Sequence, residues 1–176
     1  MLPKIDKLFI KKEPNKLNKE FDYLLKFDGC SKGNPGLAGA GAVIYHDNKE
    51  IWSDSFFVGE KFTNNHAEYA GLILGLQQAK DMEIKSLRIE GDSQLVINQM
   101  KGIYKCKSIN LHDLYDKAKE LDSFFEQTEY CHIFRNNNKR ADELSNIAIK
   151  NYLEKEIDDD IDDIYDDIDD NDTVYK

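Results

Sequence analysis

The hydrophobic pattern of this chain switches period near residue 63, and that switch limits what it can fold into. Before it, the run Phe21-Asp-Tyr-Leu-Leu-Lys-Phe-Asp28 reads as a strand that stops in a turn at Gly29. Gly33-Asn34-Pro35-Gly36 reads as a loop. Gly39–Tyr45 and Ile51–Val58 read as two further strands joined by the polar turn His46-Asp47-Asn48-Lys49, which together make an antiparallel meander. After it, Tyr69, Leu72, Ile73, Leu76 and Lys80 trace one helical face, while Ala67, Ala70 and Leu74 trace a second. A helix apolar over so wide an arc lies against a sheet. A short strand over Ser86–Glu90 follows, then helices from about Ser93 to Met100 and Asn110 to Phe125, a strand over Glu129–Phe134 and a helix from Lys139 to Leu153. The order βββ-α-β-α-α-β-α predicts an α/β fold: a meander joined to parallel strands through right-handed helical crossovers, with helices on the sheet faces.

A length of 176 residues suits one domain with tails, and a 40% hydrophobic composition supplies a core. The chain divides into a Lys-rich extension (1–20), a folded domain (21–155) and an acidic tail (156–176). No apolar run approaches the roughly 18 residues of a membrane span, and the extension lacks the apolar stretch of a secretion signal, so cytosol or nucleus is the expected location. Three cysteines without close spacing argue against a disulfide framework or a zinc site. The net charge of −10 would count against a nucleic-acid partner, except that Glu156 and ten Asp against Lys176 account for all of it. Residues 1–155 carry 23 acids and 23 bases, so the body of the chain is neutral.

Four acids stand at positions where strands end or helices begin: Asp28, Glu68, Asp92 and Asp142. Each has an ordinary structural use. Asp28 suits a turn before Gly29, and Asn65-His66-Ala67-Glu68 fits a capping box with Asn65 as N-cap. Asp92 suits an N-cap, and Asp142 suits the positive end of a helix. Taken together they are harder to explain, because the carboxyl ends of parallel strands and the N-termini of the following helices share one sheet edge, where ligand sites form. Two like charges 4 Å apart repel by about 4 kcal/mol at an effective dielectric of 20. A pair of Mg²⁺ ions, or Mn²⁺, would neutralise such a cluster with the hard oxygen ligands those ions prefer, and such a pair is suited to in-line phosphodiester cleavage.

At these residues the sequence resembles ribonuclease H type 1. The stretches that carry the resemblance are Phe-Asp28-Gly-Cys-Ser-Lys-Gly-Asn34-Pro-Gly, Thr63-Asn64-Asn65-His-Ala-Glu68-Tyr, Gly-Asp92-Ser-Gln-Leu-Val, and Arg135-Asn-Asn-Asn138-Lys-Arg-Ala-Asp142-Glu-Leu-Ser-Asn, in the family's order. The resemblance implies a ribonuclease H-like fold: a five-stranded mixed sheet whose first three strands form the meander and whose strands 4 and 5 run parallel to strand 1. It implies that Asp28 bridges two metal ions, that Glu68 and Asp92 complete one and that Asp142 holds the other. The implied substrate is an RNA/DNA hybrid, whose RNA strand is cut to 5′-phosphate and 3′-hydroxyl ends. Asn34, Asn64 and Asn65 are implied to read the minor groove with its 2′-hydroxyls, and Thr63 to hold a DNA phosphate.

The sequence departs from many family members in two places. The loop before the last acid carries Arg135 where many carry a histidine, the form of the shorter, archaeal-like branch, and Arg135 is expected to contact the scissile phosphate. It cannot serve as a base at neutral pH. His132 is expected to be a satisfied strand histidine. The basic, Trp-bearing protrusion is also missing; Tyr104 among Lys101, Lys105 and Lys107 is a modest substitute for gripping the hybrid. The tail reads as low-complexity and disordered, although Ile157, Ile161, Ile164 and Ile168 fall at helical spacing and leave room for folding on a basic partner. A monomer is expected. Cleavage of double-stranded RNA, or nucleic-acid binding without turnover, are the alternatives.

Overall fold

The computed structural model describes residues 21–169, with side chains as far as residue 157. The Lys-rich extension and residues 170–176 lie outside the described residues. Ten elements follow one another: β1 (Tyr23–Gly33), β2 (Gly36–His46), β3 (Lys49–Phe62), α1 (Asn64–Asp81), β4 (Ser86–Gly91), α2 (Gln94–Met100), α3 (Ile109–Asp122), β5 (Gln127–His132), a 3-10 turn (Arg135–Asn137) and α4 (Lys139–Asp169). They build one five-stranded sheet in the order β3-β2-β1-β4-β5. β2 pairs antiparallel with β1 and β3, whereas β4 runs parallel to both β1 and β5. This is the expected mixed sheet. At the β2–β3 turn Asp47 and Asn48 have φ of 50° and 60°, the backbone a two-residue type I′ hairpin requires.

Alternation along β1 separates the two faces. Leu25 and Phe27 point to the main core, where they meet Ile44, Leu72, Leu76, Leu87, Ile89 and Leu121 under α1 and α3. Lys26, Asp28 and Cys30 point the other way, toward α4. On that face the core is small, Val43, Ala141 and Leu144, because β2 presents Gly39 and Gly41 there. A Cβ at either glycine would collide with α4, at Ser145 and Leu144, so the bare backbone lets α4 lie directly on the sheet. Arg140 fixes α4 against β3: its Nε and one Nη donate to the two Glu50 carboxylate oxygens, each at 3.0 Å. That contact holds Glu50 below the usual carboxylate range.

Several boundaries differ from the sequence expectation. β1 does not stop at Gly29. It runs on to Gly33, with Gly29 to Gly33 paired against Ala40 to Gly36, so Asp28 sits inside a strand and not in a turn. β3 extends to Phe62, α3 ends at Asp122, and β5 ends at His132 short of Phe134. The cap of α1 is Thr63, extended at φ −82° and ψ 164°, with its hydroxyl accepting from the His66 amide. Asn65 is therefore a first-turn residue, and Glu68 lies two positions deeper in the helix than a capping box would place it. The last helix does not end near Leu153: its backbone continues to Asp169, through much of the segment expected to be disordered.

Candidate active site

The four acids come together on one edge of the sheet through four different elements. Asp28 projects from β1 toward α4. Glu68 approaches from α1, which lies so close to β1 that a Cβ at Gly29 would overlap the Ala67 carbonyl and the Glu68 amide. Asp92 follows the last residue of β4, directly before Ser93, which caps α2 through its hydroxyl and so leaves Asp92 free of that duty. Asp142 sits in the first turn of α4.

Asp28 and Glu68 are buried, at 4% and 5% exposure. Burial, opposed by the Ser145 hydrogen bond and reinforced by Asp92 and Asp142, raises the Asp28 carboxyl to about 7. Burial first, then the neighbouring Asp28 and Asp92, push Glu68 well above the usual range, although the Gly29 amide donates to it. Asn64 Nδ2 reaches Glu68 Oε1 at 3.4 Å, but Oε2 is buried with no partner. An orphaned buried carboxylate oxygen is costly unless something is bound there.

Two side chains that the sequence reading did not single out hold this arrangement. Ser145, fully buried one helical turn after Asp142, places its hydroxyl 2.7 Å from Asp28 Oδ2. Asn138, just before α4, donates through Nδ2 to the Phe27 carbonyl at 2.8 Å and to Asp92 Oδ1 at 2.7 Å, stitching β1, the β4 end and α4 together. Their spacing was the available signal: Ser145 follows Asp142 by three positions on one helix face, and Asn138 stands where a helix begins.

Arg135 forms an ion pair with Asp142 from the exposed 3-10 turn. His132 is a strand histidine as expected, but it is the last residue of β5 and lies at the site, with Nε2 3.1 Å from the Asp92 carbonyl oxygen. Asn34 Oδ1 accepts from the Asn64 amide at 3.0 Å, joining the β1–β2 turn to the start of α1 beside Glu68. Asn65 is exposed on the same first turn. Tyr104 is exposed after α2, and no hydrogen bond or ion pair among the described residues ties it to the four acids. Nor, among the described residues, do three His, Cys, Asp or Glu side chains stand in a closed metal-ligand arrangement: Asp142 is turned to Arg135 and Asp92 to Asn138. Cys30, Cys106 and Cys131 are free thiols.

The family described as Reverse transcriptase-like matches residues 26–148. The bifunctional protein Rv2228c of Mycobacterium tuberculosis is 39% identical over 127 residues, covering 72% of this chain and 35% of that protein. Ribonuclease HI of Halobacterium salinarum is 37% identical over 123 residues, covering 70% of this chain and 62% of that one. The chain thus spans about a third of the mycobacterial relative and under two thirds of the archaeal one. Among solved structures, the N-terminal RNase H domain of Rv2228c superposes with a TM-score of 0.72 at 36% identity, over 77% of this chain and 99% of that one. LC11-RNase H1 in complex with RNA/DNA hybrid does so at 0.69 and 34%, over 74% and 99%. The strand order, the four acids on one edge and these similarities agree: the chain belongs to the ribonuclease H type 1 family.

Proposed function

We propose that this protein is an endoribonuclease that hydrolyses the RNA strand of RNA/DNA hybrids with two divalent cations, Mg²⁺ or Mn²⁺, leaving 5′-phosphate and 3′-hydroxyl ends. The observation that carries this reading is the unbalanced charge of the site: two buried carboxyls, one raised to about 7 and the other also pushed up, with a Glu68 oxygen that has no partner. Such a cluster costs stability that a bound cation would offset, and carboxyls perturbed by burial and by one another are typical of functional sites. Divalent-metal catalysis follows from family membership. The number of ions and the share of each acid are part of the proposal: Asp28 would be shared by both ions, Glu68 and Asp92 would complete one, and Asp142 would hold the other.

When bound, such ions activate water and stabilise the attacking and leaving oxygens. The chain's own residues do the rest. Ser145 and Asn138 hold Asp28 and Asp92 in place. Arg135, exposed and within reach of Asp142, is positioned to exchange that partner for the scissile phosphate. Asn34, Asn64 and Asn65, gathered around the start of α1, offer amide groups to the minor groove and its 2′-hydroxyls. Thr63 and Tyr104 supply contacts to the backbone. We read the enzyme as a monomer acting in cytosol or nucleus; among the described residues no helix is long and apolar enough to cross a membrane.

A cleavage assay on labelled RNA/DNA hybrid, double-stranded RNA, an all-DNA duplex and a DNA duplex with one embedded ribonucleotide, with and without EDTA, tests the reading. Cutting of the hybrid's RNA strand that EDTA abolishes and Mg²⁺ or Mn²⁺ restores is expected. Undiminished cleavage in EDTA would sink the metal account, and equal cutting of hybrid and DNA duplex would sink the 2′-hydroxyl readout.

A further inference from the structure

An open groove of about 750 Å³ runs along α4 beside the β1–β2 hairpin, starting at Asp142 and Asn146 and ending at Ile157. Its floor is apolar: Leu37, Ile147, Leu153 and Ile157. Leu153 and Ile157 are 44% and 58% exposed, and nothing among the described residues covers them. The two lysines of the lining are already engaged, Lys32 with Asn146 at 2.9 Å and Lys150 with Glu154 at 3.5 Å. From Glu156 the helix continues to Asp169 with eight Asp and no base. An occupant must therefore combine apolar anchors with positive charge.

We propose that this groove seats residues 2–10 of the chain itself. Leu2, Ile5, Leu8, Phe9 and Ile10 supply anchors, and residues 1–12 carry Lys4, Lys7, Lys11 and Lys12 against Asp6 alone. The reach is sufficient. β1 carries the chain over 11 residues from Tyr23 to the hairpin end, about 33 Å at 3.3 Å per step, and the 13 steps back from Tyr23 to residue 10 span about 43 Å when extended. That returns residue 10 to the groove and leaves nine residues to fill it. Tethering makes the contact intramolecular, so it does not depend on protein concentration. The seated lysines also offset part of the acidic helix, which otherwise repels a polyanion. The proposal is independent of the catalytic reading.

Carbodiimide coupling on the full-length protein, followed by mass spectrometry, tests it directly. Equal parts of ¹⁴N- and ¹⁵N-labelled protein separate links within a chain from links between copies. Amide links from Lys4, Lys7, Lys11 or Lys12 to Glu154 or Glu156 within one chain are expected. Their yield should fall at least fivefold in Ile5→Ser/Leu8→Ser/Phe9→Ser, and equally in Leu153→Ser/Ile157→Ser, both of which keep every charge. Circular dichroism melts establish that the second variant is folded, and the first changes nothing in the described domain. Unchanged yields in both variants would mean attraction by charge alone and overturn the proposal. So would links found only between copies, which would assign the groove to a second molecule, or links that map elsewhere on the domain.

Discussion

The Ser145 hydroxyl lies 2.7 Å from Asp28 Oδ2 and 2.9 Å from the carbonyl oxygen of Asp142, so two acceptors compete for one proton. When Asp28 is ionised the hydroxyl donates to it. When Asp28 is protonated, the carboxyl donates to Ser145, which is then free to donate to the Asp142 carbonyl. Ser145 thus partners Asp28 in both charge states and couples it to the first turn of α4.

Ser145→Ala removes that partner. A hydrogen bond to a charged group is worth about 1.5–3 kcal/mol, so hybrid cleavage should fall by about tenfold or more, and half-maximal activity should require more Mg²⁺. The helix itself tolerates alanine well. Initial rates across a Mg²⁺ titration, beside a thermal melt, check this; a parental Mg²⁺ response would show that Ser145 only fills space.

Without divalent ions, stability should depend on pH in a defined direction. Asp28 rises from 3.8 to about 7 and Glu68 also rises on folding. The native state therefore binds protons that the unfolded state has lost, so this stabilisation is complete below the unfolded carboxylate values near 4 and disappears as pH rises through about 7. In EDTA the melting temperature should fall between pH 4 and 8, by an amount equivalent to a few kcal/mol. Mg²⁺ should recover much of it at the alkaline end, because a ligand of the native state raises apparent stability. Melts at stepped pH with EDTA or Mg²⁺ read this; a flat profile in EDTA would contradict it.

Asp28→Asn keeps the side-chain shape and removes one charge from the cluster. Cleavage should be abolished, while stability in EDTA at pH 8 equals or exceeds that of the parent. The Mg²⁺-induced rise in melting temperature should shrink. Activity at the parental rate would exclude Asp28 as the shared ligand.

Gly29→Ala places a Cβ against the α1 backbone at Ala67 and Glu68, neither of which is a flexible side-chain end. Overpacking commonly costs 1–3 kcal/mol, and with backbone on the other side a loss of at least about 3 kcal/mol is expected, together with displacement of Glu68. Urea denaturation measures the loss. A stability change below about 1 kcal/mol would mean that α1 can move away from β1 freely.

Periodicity is local, so the residues themselves determined the element order, the meander, the apolar arcs of α1 and the four acids with their family resemblance. Other features depended on partners distant in sequence. Gly29-Cys-Ser-Lys32 has no apolar alternation; it is strand because Gly36–Ala40 pairs with it, which moved Asp28 from a turn into the sheet. Thr63 and Asn65 are both competent caps, and the path of β3 through Phe62 chose Thr63, leaving Glu68 buried in the second turn. The last helix outran its expected end because extending an existing helix costs less than nucleating a new one, even through a run of aspartates. Ser145 and Asn138 met their carboxylate partners across 117 and 46 positions. Only the strand order β2-β1-β4, and the bare backbone of Gly29, Gly39 and Gly41 that lets α1 and α4 settle on opposite faces of the sheet, brought those groups within hydrogen-bonding distance.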